Sequence, residues 1–350
     1  MGLPSFTIGF QTSAVEAIAL ASRGFVALVI KDATQGVGTY TYQNFAQVVA
    51  GDYDAANYDL IEAVFAGSPT KVKVIVGGAT AAFADVQAQI LNGSPDIDYL
   101  AAPDYSAESV AIISYITAAR LAGAKIKGVL ASTGSDKEYI IDVKVTGAVD
   151  STATALPDQT ARVAGVLAGL DPTRSATYYV LPEVADVDAL ADIGAEIDAG
   201  YLVYYNDGEK VKIARGVNSF VTVTPSKGAL FSKIKNVETM DMIAYTVRKT
   251  VENDYVGKFT NSLDNKNLVV AAVNQFLATL AKNGYLNPAY DNKCTLDLQA
   301  HLDYAALNGI DTTGFTTTEI KKIDTADNLY LTISARLLDT MEDFTISVAI

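Results

Sequence analysis

The chain has no tryptophan, one cysteine (Cys294) and one histidine (His301) in 350 residues. A single cysteine excludes an internal disulfide framework and fits folding in a reducing compartment. One Cys and one His cannot complete a four-ligand zinc site without several carboxylates, so no metal is expected. His301 stands among Ala300, Leu302 and Tyr304, remote from any nucleophile motif, and no Gly-x-Ser-x-Gly elbow occurs. Cys294 lacks the histidine and carboxylate neighbours that make a thiol nucleophilic. No catalytic residue is therefore assigned. Basic charge is scarce as well: 26 Lys/Arg stand against 40 Asp/Glu, a net charge of −14 that does not suit a holder of nucleic-acid phosphates. No run of eighteen apolar residues and no basic-then-apolar leader is found, so neither a membrane span nor a signal peptide is expected.

Phosphate-binding glycine loops are missing too. Gly36-Val37-Gly38 lacks the third glycine of a dinucleotide fingerprint, and Gly77-Gly78 reads as a tight turn after a strand. The pairs Asp96/Asp98 and Asp186/Asp188 do not match the calcium-loop spacing. No cofactor is expected.

What is present is apolar periodicity. Half of the residues are hydrophobic, enough for a sizeable core. Phe25–Ile30 is a continuous apolar run, as in a strand buried on both faces. Further strands are expected at 72–76, 97–101, 127–132, 139–145 and 178–181, with helices at 59–66, 81–91, 160–170 and 187–199. A helix over 106–122 starts at Ser106 as N-cap and stops at Gly123. Repeated strand–helix–strand units predict an α/β layer with a largely parallel sheet. A hairpin at 201–214, turning at Asn206-Asp207-Gly208, switches the pairing to antiparallel. Beyond it lie a strand to Val223, helical spacing over 231–254 and 267–283, and a strand over 329–335.

Both chain ends carry strand alternation. Phe6, Ile8 and Phe10 alternate with Thr7 and Gly9, and Phe344, Ile346, Val348 and Ile350 alternate with Thr345, Ser347 and Ala349. Chain ends normally fray unless something ties them down, so apolar strands there need a sheet to join. Hinges are expected at 11–16 and 339–343. Charge is uneven: residues 211–293 hold 11 Lys/Arg against 6 Asp/Glu, a basic island in an acidic chain.

From Arg215-Gly216-Val217-Asn218 through Lys233-Ile234-Lys235 to Met240-Asp241-Met242-Ile243, the sequence resembles the contractile phage tail sheath family. Its nearest likeness is to the short form in myophage-like tails and in R-type, diffocin-like bacteriocins of clostridia. The resemblance implies an α/β core of subtilisin-like topology without protease activity, plus an α+β C-terminal domain and extended terminal arms. The implied domains are an N-terminal arm (1–20), the sheath core (21–214), a tube-proximal domain (215–338) and a C-terminal arm (339–350). It further implies stacked six-membered rings around an inner tail tube, joined by strand exchange and contracting to drive that tube through a cell envelope. Implied partners are further copies of the chain, the inner tube protein, and baseplate and tail terminator proteins, with no nucleic acid and no membrane insertion. Assembly in the bacterial cytoplasm and release by lysis follow from the same likeness. The arm residues would be Phe6, Ile8, Phe10, Phe344, Ile346, Val348 and Ile350. Lys227, Lys233, Lys235, Arg248, Lys249 and Lys258 are the candidate tube-facing bases. The competing expectation is a hydrolase-like or nucleotide-binding α/β enzyme with swapped ends, which requires a polar, ligand-sized pocket.

Overall fold

A computed structural model of the protein describes residues 23–131 and 134–348. They divide into a larger unit, 23–245 with 339–348, and a smaller one, 246–338. The larger unit thus runs to Tyr245 and not to Ala214, because the stretch after Ala214 is buried in it: Asn218, Ser219, Val237 and Glu238 are all less than a tenth exposed.

The larger unit runs β1 (Phe25–Lys31), β2 (Gly38–Tyr42), α1 (Ala55–Phe65), β3 (Lys71–Gly77), α2 (Phe83–Ile90), β4 (Tyr99–Ala101) and α3 (Ser109–Leu121). It continues with β5 (Lys127–Ala131), β6 (Ile140–Val143), α4 (Gln159–Gly169), α5 (Ile193–Asp198), β7 (Tyr201–Leu202), β8 (Tyr204–Asn206), β9 (Val211–Ile213) and the first part of α6 (Ile234–Thr250). Among the described residues seven strands form one sheet in the order β2-β3-β1-β4-β5-β6-β7. Every pairing is parallel except β2 with β3. Residue alternation in β1 explains the layers. Val26, Leu28 and Ile30 point into one core with α1 and α4, while Ala27 and Val29 point into the other with α2 and α3.

Helix α4 is buried along nearly its whole length. Small residues make this possible. A Cβ at Gly165 would lie 2.0 Å from the Val64 carbonyl oxygen, and one at Gly169 would lie 1.9 Å from that of Gly67. The end of α1 and the following turn therefore sit directly on the α4 backbone.

Several local expectations change. The helix at 106 begins at Ser109, because Pro103–Glu108 forms a 3₁₀ segment with a non-helical Tyr105. Residues 178–181 are not a strand; Tyr178 has φ of 58° and only Val180 makes an isolated bridge, to Lys212. The helix expected over 187–199 is confined to Ile193–Asp198, capped by the Asp192 side chain on the Ala195 amide. Residues 219–223 form no strand. The hairpin forms between β8 and β9, while β7 just before it stays parallel in the main sheet. Strand β2, Gly-Thr-Tyr-Thr-Tyr, went unforeseen despite its alternation.

The smaller unit holds α7 (Leu263–Lys282), β10 (Lys293–Leu296), α8 (Leu298–Leu307), α9 (Thr317–Lys322) and β11 (Leu331–Ser334). Ser262 caps α7, whose Val269, Val273, Phe276, Leu277 and Leu280 are buried at helical spacing. The Asn274 side chain accepts from the Cys294 amide (2.7 Å) and donates to its carbonyl (3.0 Å), fixing α7 on β10. Strands β10 and β11 pair antiparallel as a two-stranded sheet.

Replacing Gly165 by Ala is expected to destabilise the larger unit by about 1–3 kcal/mol, since the methyl meets backbone that cannot swing away. Thermal unfolding of the variant measures this; an unchanged melting temperature would contradict the α1–α4 contact.

Candidate assembly site

In open α/β sheets, ligands bind beyond the carboxyl ends of the strands. Here, among the described residues, two places at that end are filled. Asp32, following β1, accepts from the amides of Thr34 (2.7 Å), Gln35 (2.7 Å) and Asp54 (3.0 Å) and from the Asn57 side chain (2.7 Å). Burial would raise its pKa, but these donors outweigh it and hold the carboxylate low. The void beside β4 and β5, lined by Pro103, Val129 and Asp158, measures about 10 Å³, room for one water.

The amino ends of β4 and β5 carry a buried charge network on α6. Lys127 lies 3.0 Å from Glu238 and 3.4 Å from Asp241. Arg120 grips Asp241 with two bonds, at 2.6 and 2.9 Å. Arg23 and the Tyr99 hydroxyl also bind Glu238. Burial alone would push the Glu238 carboxyl up; Lys127, Arg23 and Tyr99 together hold it well below the usual range. Removing one member of such a buried set strands the others, which is far costlier than losing a surface pair. The Met240–Ile243 motif thus contributes Asp241 to a structural junction.

The C-terminal segment returns to the larger unit. Residues 339–343, expected as a hinge, are instead tied down. Lys233 binds Asp339 at 2.6 Å, and Arg215 binds Glu342 at 3.3 Å and Asp343 at 2.6 Å. Thr177 donates to Glu342 (2.9 Å) and accepts from the Gly216 amide (3.0 Å). The Glu342 side chain is only 8% exposed. Gly216 allows this approach: a Cβ there would sit 3.0 Å from the Ser175 hydroxyl oxygen. The Arg215–Asn218 motif is stitched to the start of α6 as well. The Ile234 amide donates to the Gly216 carbonyl (3.1 Å), and the Asn218 side chain donates to that of Phe231 (2.7 Å). A groove of about 380 Å³ runs beside this clamp, walled by Ile197, Val217, Phe220 and Val221.

Past the clamp the chain is bare. Phe344, Ile346 and Val348 are 72%, 81% and 79% exposed, and residues 344–348 form no strand in this chain. Phe6, Ile8, Phe10 and Ile350 lie outside the described residues. The six bases are divided between the two units. Lys227 pairs with Glu138 and Lys233 with Asp339 in the larger unit, where Lys235 is buried. Burial outweighs the nearby acids and pushes the Lys235 pKa down, so Lys235 is withdrawn from the tube-facing set. Arg248, Lys249 and Lys258 are exposed in the smaller unit, Arg248 pairing with Glu252. His301 is buried, its Nδ1 on the Asp297 carbonyl (2.6 Å), and Cys294 is buried with its thiol pushed up to about 11 by desolvation. Sequence reasoning missed the clamp. Its one local trace is Glu342-Asp343 just ahead of the apolar alternation, opposite in sign to the basic block.

The site is a charged root followed by an exposed apolar run. Comparison with known proteins gives the family. Residues 226–350 match the phage tail sheath C-terminal domain family. The chain is 30% identical to the tail sheath protein of Clostridium phage phiCD119, over 99% of each chain. The fold is similar to that of the sheath tail protein from Desulfitobacterium hafniense (TM-score 0.69, 18% identity, 84% of this chain and 94% of that one). It is also similar to the helical sheath of the anti-feeding prophage in its contracted state (TM-score 0.70, 14% identity, 100% and 99%). The chain belongs to the phage tail sheath protein family, and is a structural protein of a contractile tail and not an enzyme. No helix among the described residues is long and apolar enough to cross a membrane.

The clamp carries a pH signature. Burial tends to raise the Glu342 pKa, but hydrogen bonds from Ser175, Thr177 and Arg215 and the charge of Lys233 more than offset it, leaving it lowered. A carboxylate lowered on folding stabilises above its unfolded pKa, about 4.3, and loses that contribution as pH falls through the folded value. Glu342→Gln should therefore melt below wild type at about pH 7, with the gap closing as pH drops below about 4. A gap independent of pH would contradict the role given to the carboxylate.

Proposed function

We propose that this sheath subunit polymerises as stacked six-membered rings around an inner tail tube, linked by exchange of terminal strands. Contraction of the cylinder then drives the tube through a target cell envelope. The carrying observation is the end of the chain, where an alternating apolar run is exposed on both faces immediately after a secured root. A half-apolar strand left in water gains both main-chain hydrogen bonds and side-chain burial by adding to a sheet edge. Phe344, Ile346, Val348 and Ile350 are the anchors at this end, and Phe6, Ile8 and Phe10 at the other. The outer edge of β11 is the proposed receiver, since among the described residues β11 pairs only with β10, whose Cys294 amide and carbonyl are taken by Asn274. Head-to-tail exchange of this kind builds rings or helical filaments.

The core is read as subtilisin-like in topology with its chemistry absent. Partners are further copies, the inner tube, and baseplate and terminator proteins; assembly takes place in the bacterial cytoplasm, with release on lysis. The anti-feeding prophage relatives, described in a baseplate and in a contracted helical sheath, support the assembly part of this reading. Arg248, Lys249 and Lys258, in the smaller unit, are the bases proposed to face the tube. Single exposed pairs contribute only about 0–1 kcal/mol, so many repeats would hold the tube collectively and still release it.

Deleting residues 344–350 should leave a folded protein that forms no cylinders under negative-stain microscopy; unaltered cylinders would refute strand exchange at this end. Charge reversal at Arg248, Lys249 and Lys258 together should lower the fraction of cylinders that retain tube. Equal tube occupancy would remove these residues from that role.

A further inference from the structure

The C-terminal run leaves the smaller unit at Leu338, yet Asp339 onward belongs to the larger unit. Three consecutive acidic positions of that segment each meet a base there: Asp339 meets Lys233, and Glu342 and Asp343 both meet Arg215. Glu342 is the innermost, enclosed by Thr177, Arg215 and Thr340. Behind the clamp the contacts do not stop. Arg215–Asn218 is hydrogen-bonded to residues 231–234. Helix α6 starts there and reaches the parallel strands through Glu238 and Asp241 on Lys127. A continuous chain of hydrogen bonds and buried ion pairs therefore links the root of the arm to the central sheet.

We propose that this clamp sets the reach of the donor strand and passes tension from it into the larger unit, with Arg215 and Glu342 as positioning residues. The inference rests on the strand-exchange reading above. With the clamp closed, the described free tether is residues 344–348, about 17 Å at roughly 3.3 Å per residue. With it open, the tether would begin at Asp339 and lengthen by about 17 Å by the same rise. A shorter tether concentrates the donor near the neighbouring edge and fixes the spacing between copies; a longer one dilutes it. Tension on the arm would be carried by the larger unit, leaving the covalent passage through the smaller unit unloaded.

The test uses full-length protein with Glu342→Gln and Arg215→Gln, and separately Lys233→Gln, which opens the outer contact without touching Arg215. In unassembled wild type, backbone NMR order parameters should be about 0.8 at residues 340–343 and below about 0.6 at 345–348. The variants should drop those of 340–343 below about 0.6 while the amides of β1 and β3 stay protected from hydrogen exchange. Their threshold concentration for cylinder formation should rise by about tenfold, and their cylinders should lose subunits on contraction. Wild-type residues 340–343 with order parameters as low as those of 345–348 would overturn the clamp. So would variants that open it yet assemble and contract like wild type. If deletion of 344–350 abolishes cylinders while the variants behave as wild type, the clamp falls and strand exchange stands. If the deletion leaves cylinders intact, both fall. If one substitution unfolds the protein, as loss of β1 protection would report, the Lys233→Gln variant decides.

Discussion

The constraint on which the rest depends is the alternating apolar run at residues 344–348, which the chain's own fold leaves in water. Phe344, Ile346 and Val348 are each more than 70% exposed, on a segment with alternating polar partners. An edge of this kind is a liability in a monomer and a joint in a polymer. On the strand-exchange proposal, the run must be available to a neighbour yet held at a defined place on its own body. Arg215, Lys233, Thr177 and the carboxylates of Asp339, Glu342 and Asp343 meet that need with ion pairs around a buried Glu342.

The interior explains why such a point can be held. The sheet is covered on both faces, and α4 is packed against α1 through glycines that admit no side chain. The amino ends of its strands are fastened to α6 by Lys127, Arg120 and Arg23 on Glu238 and Asp241. Buried pairs of this sort add little net stability over an apolar core but fix geometry, because a displaced partner leaves an uncompensated charge. Under the proposed contraction, a firmly packed body around the arm root would confine motion to the exposed run.

Much of the fold was legible in the residues themselves. Phe25–Ile30 and Val72–Val76 are unbroken apolar runs, and the apolar spacing of α7 is strictly helical, so local pattern and final burial coincide there. The absence of catalytic constellations and the Arg215–Asn218, Lys233–Lys235 and Met240–Ile243 motifs pointed to a sheath. Legibility failed where structure depends on distant partners. Tyr178–Leu181 looks like a strand but is bent by a positive φ at Tyr178. Lys235, counted with the surface bases, is buried by the turn into α6. Arg215 and Glu342 lie 127 positions apart, and no local pattern relates them. Residues 339–343, expected as a hinge, are instead held by Lys233 and Arg215 from distant parts of the chain.

The most direct measurement is a high-resolution electron cryomicroscopy structure of assembled cylinders of this protein. The account predicts residues 344–348 hydrogen-bonded as a strand in the sheet of a neighbouring copy, with Arg215 still on Glu342 in the donor. Residues 344–348 left unpaired in the cylinder, or paired within their own chain, would contradict it.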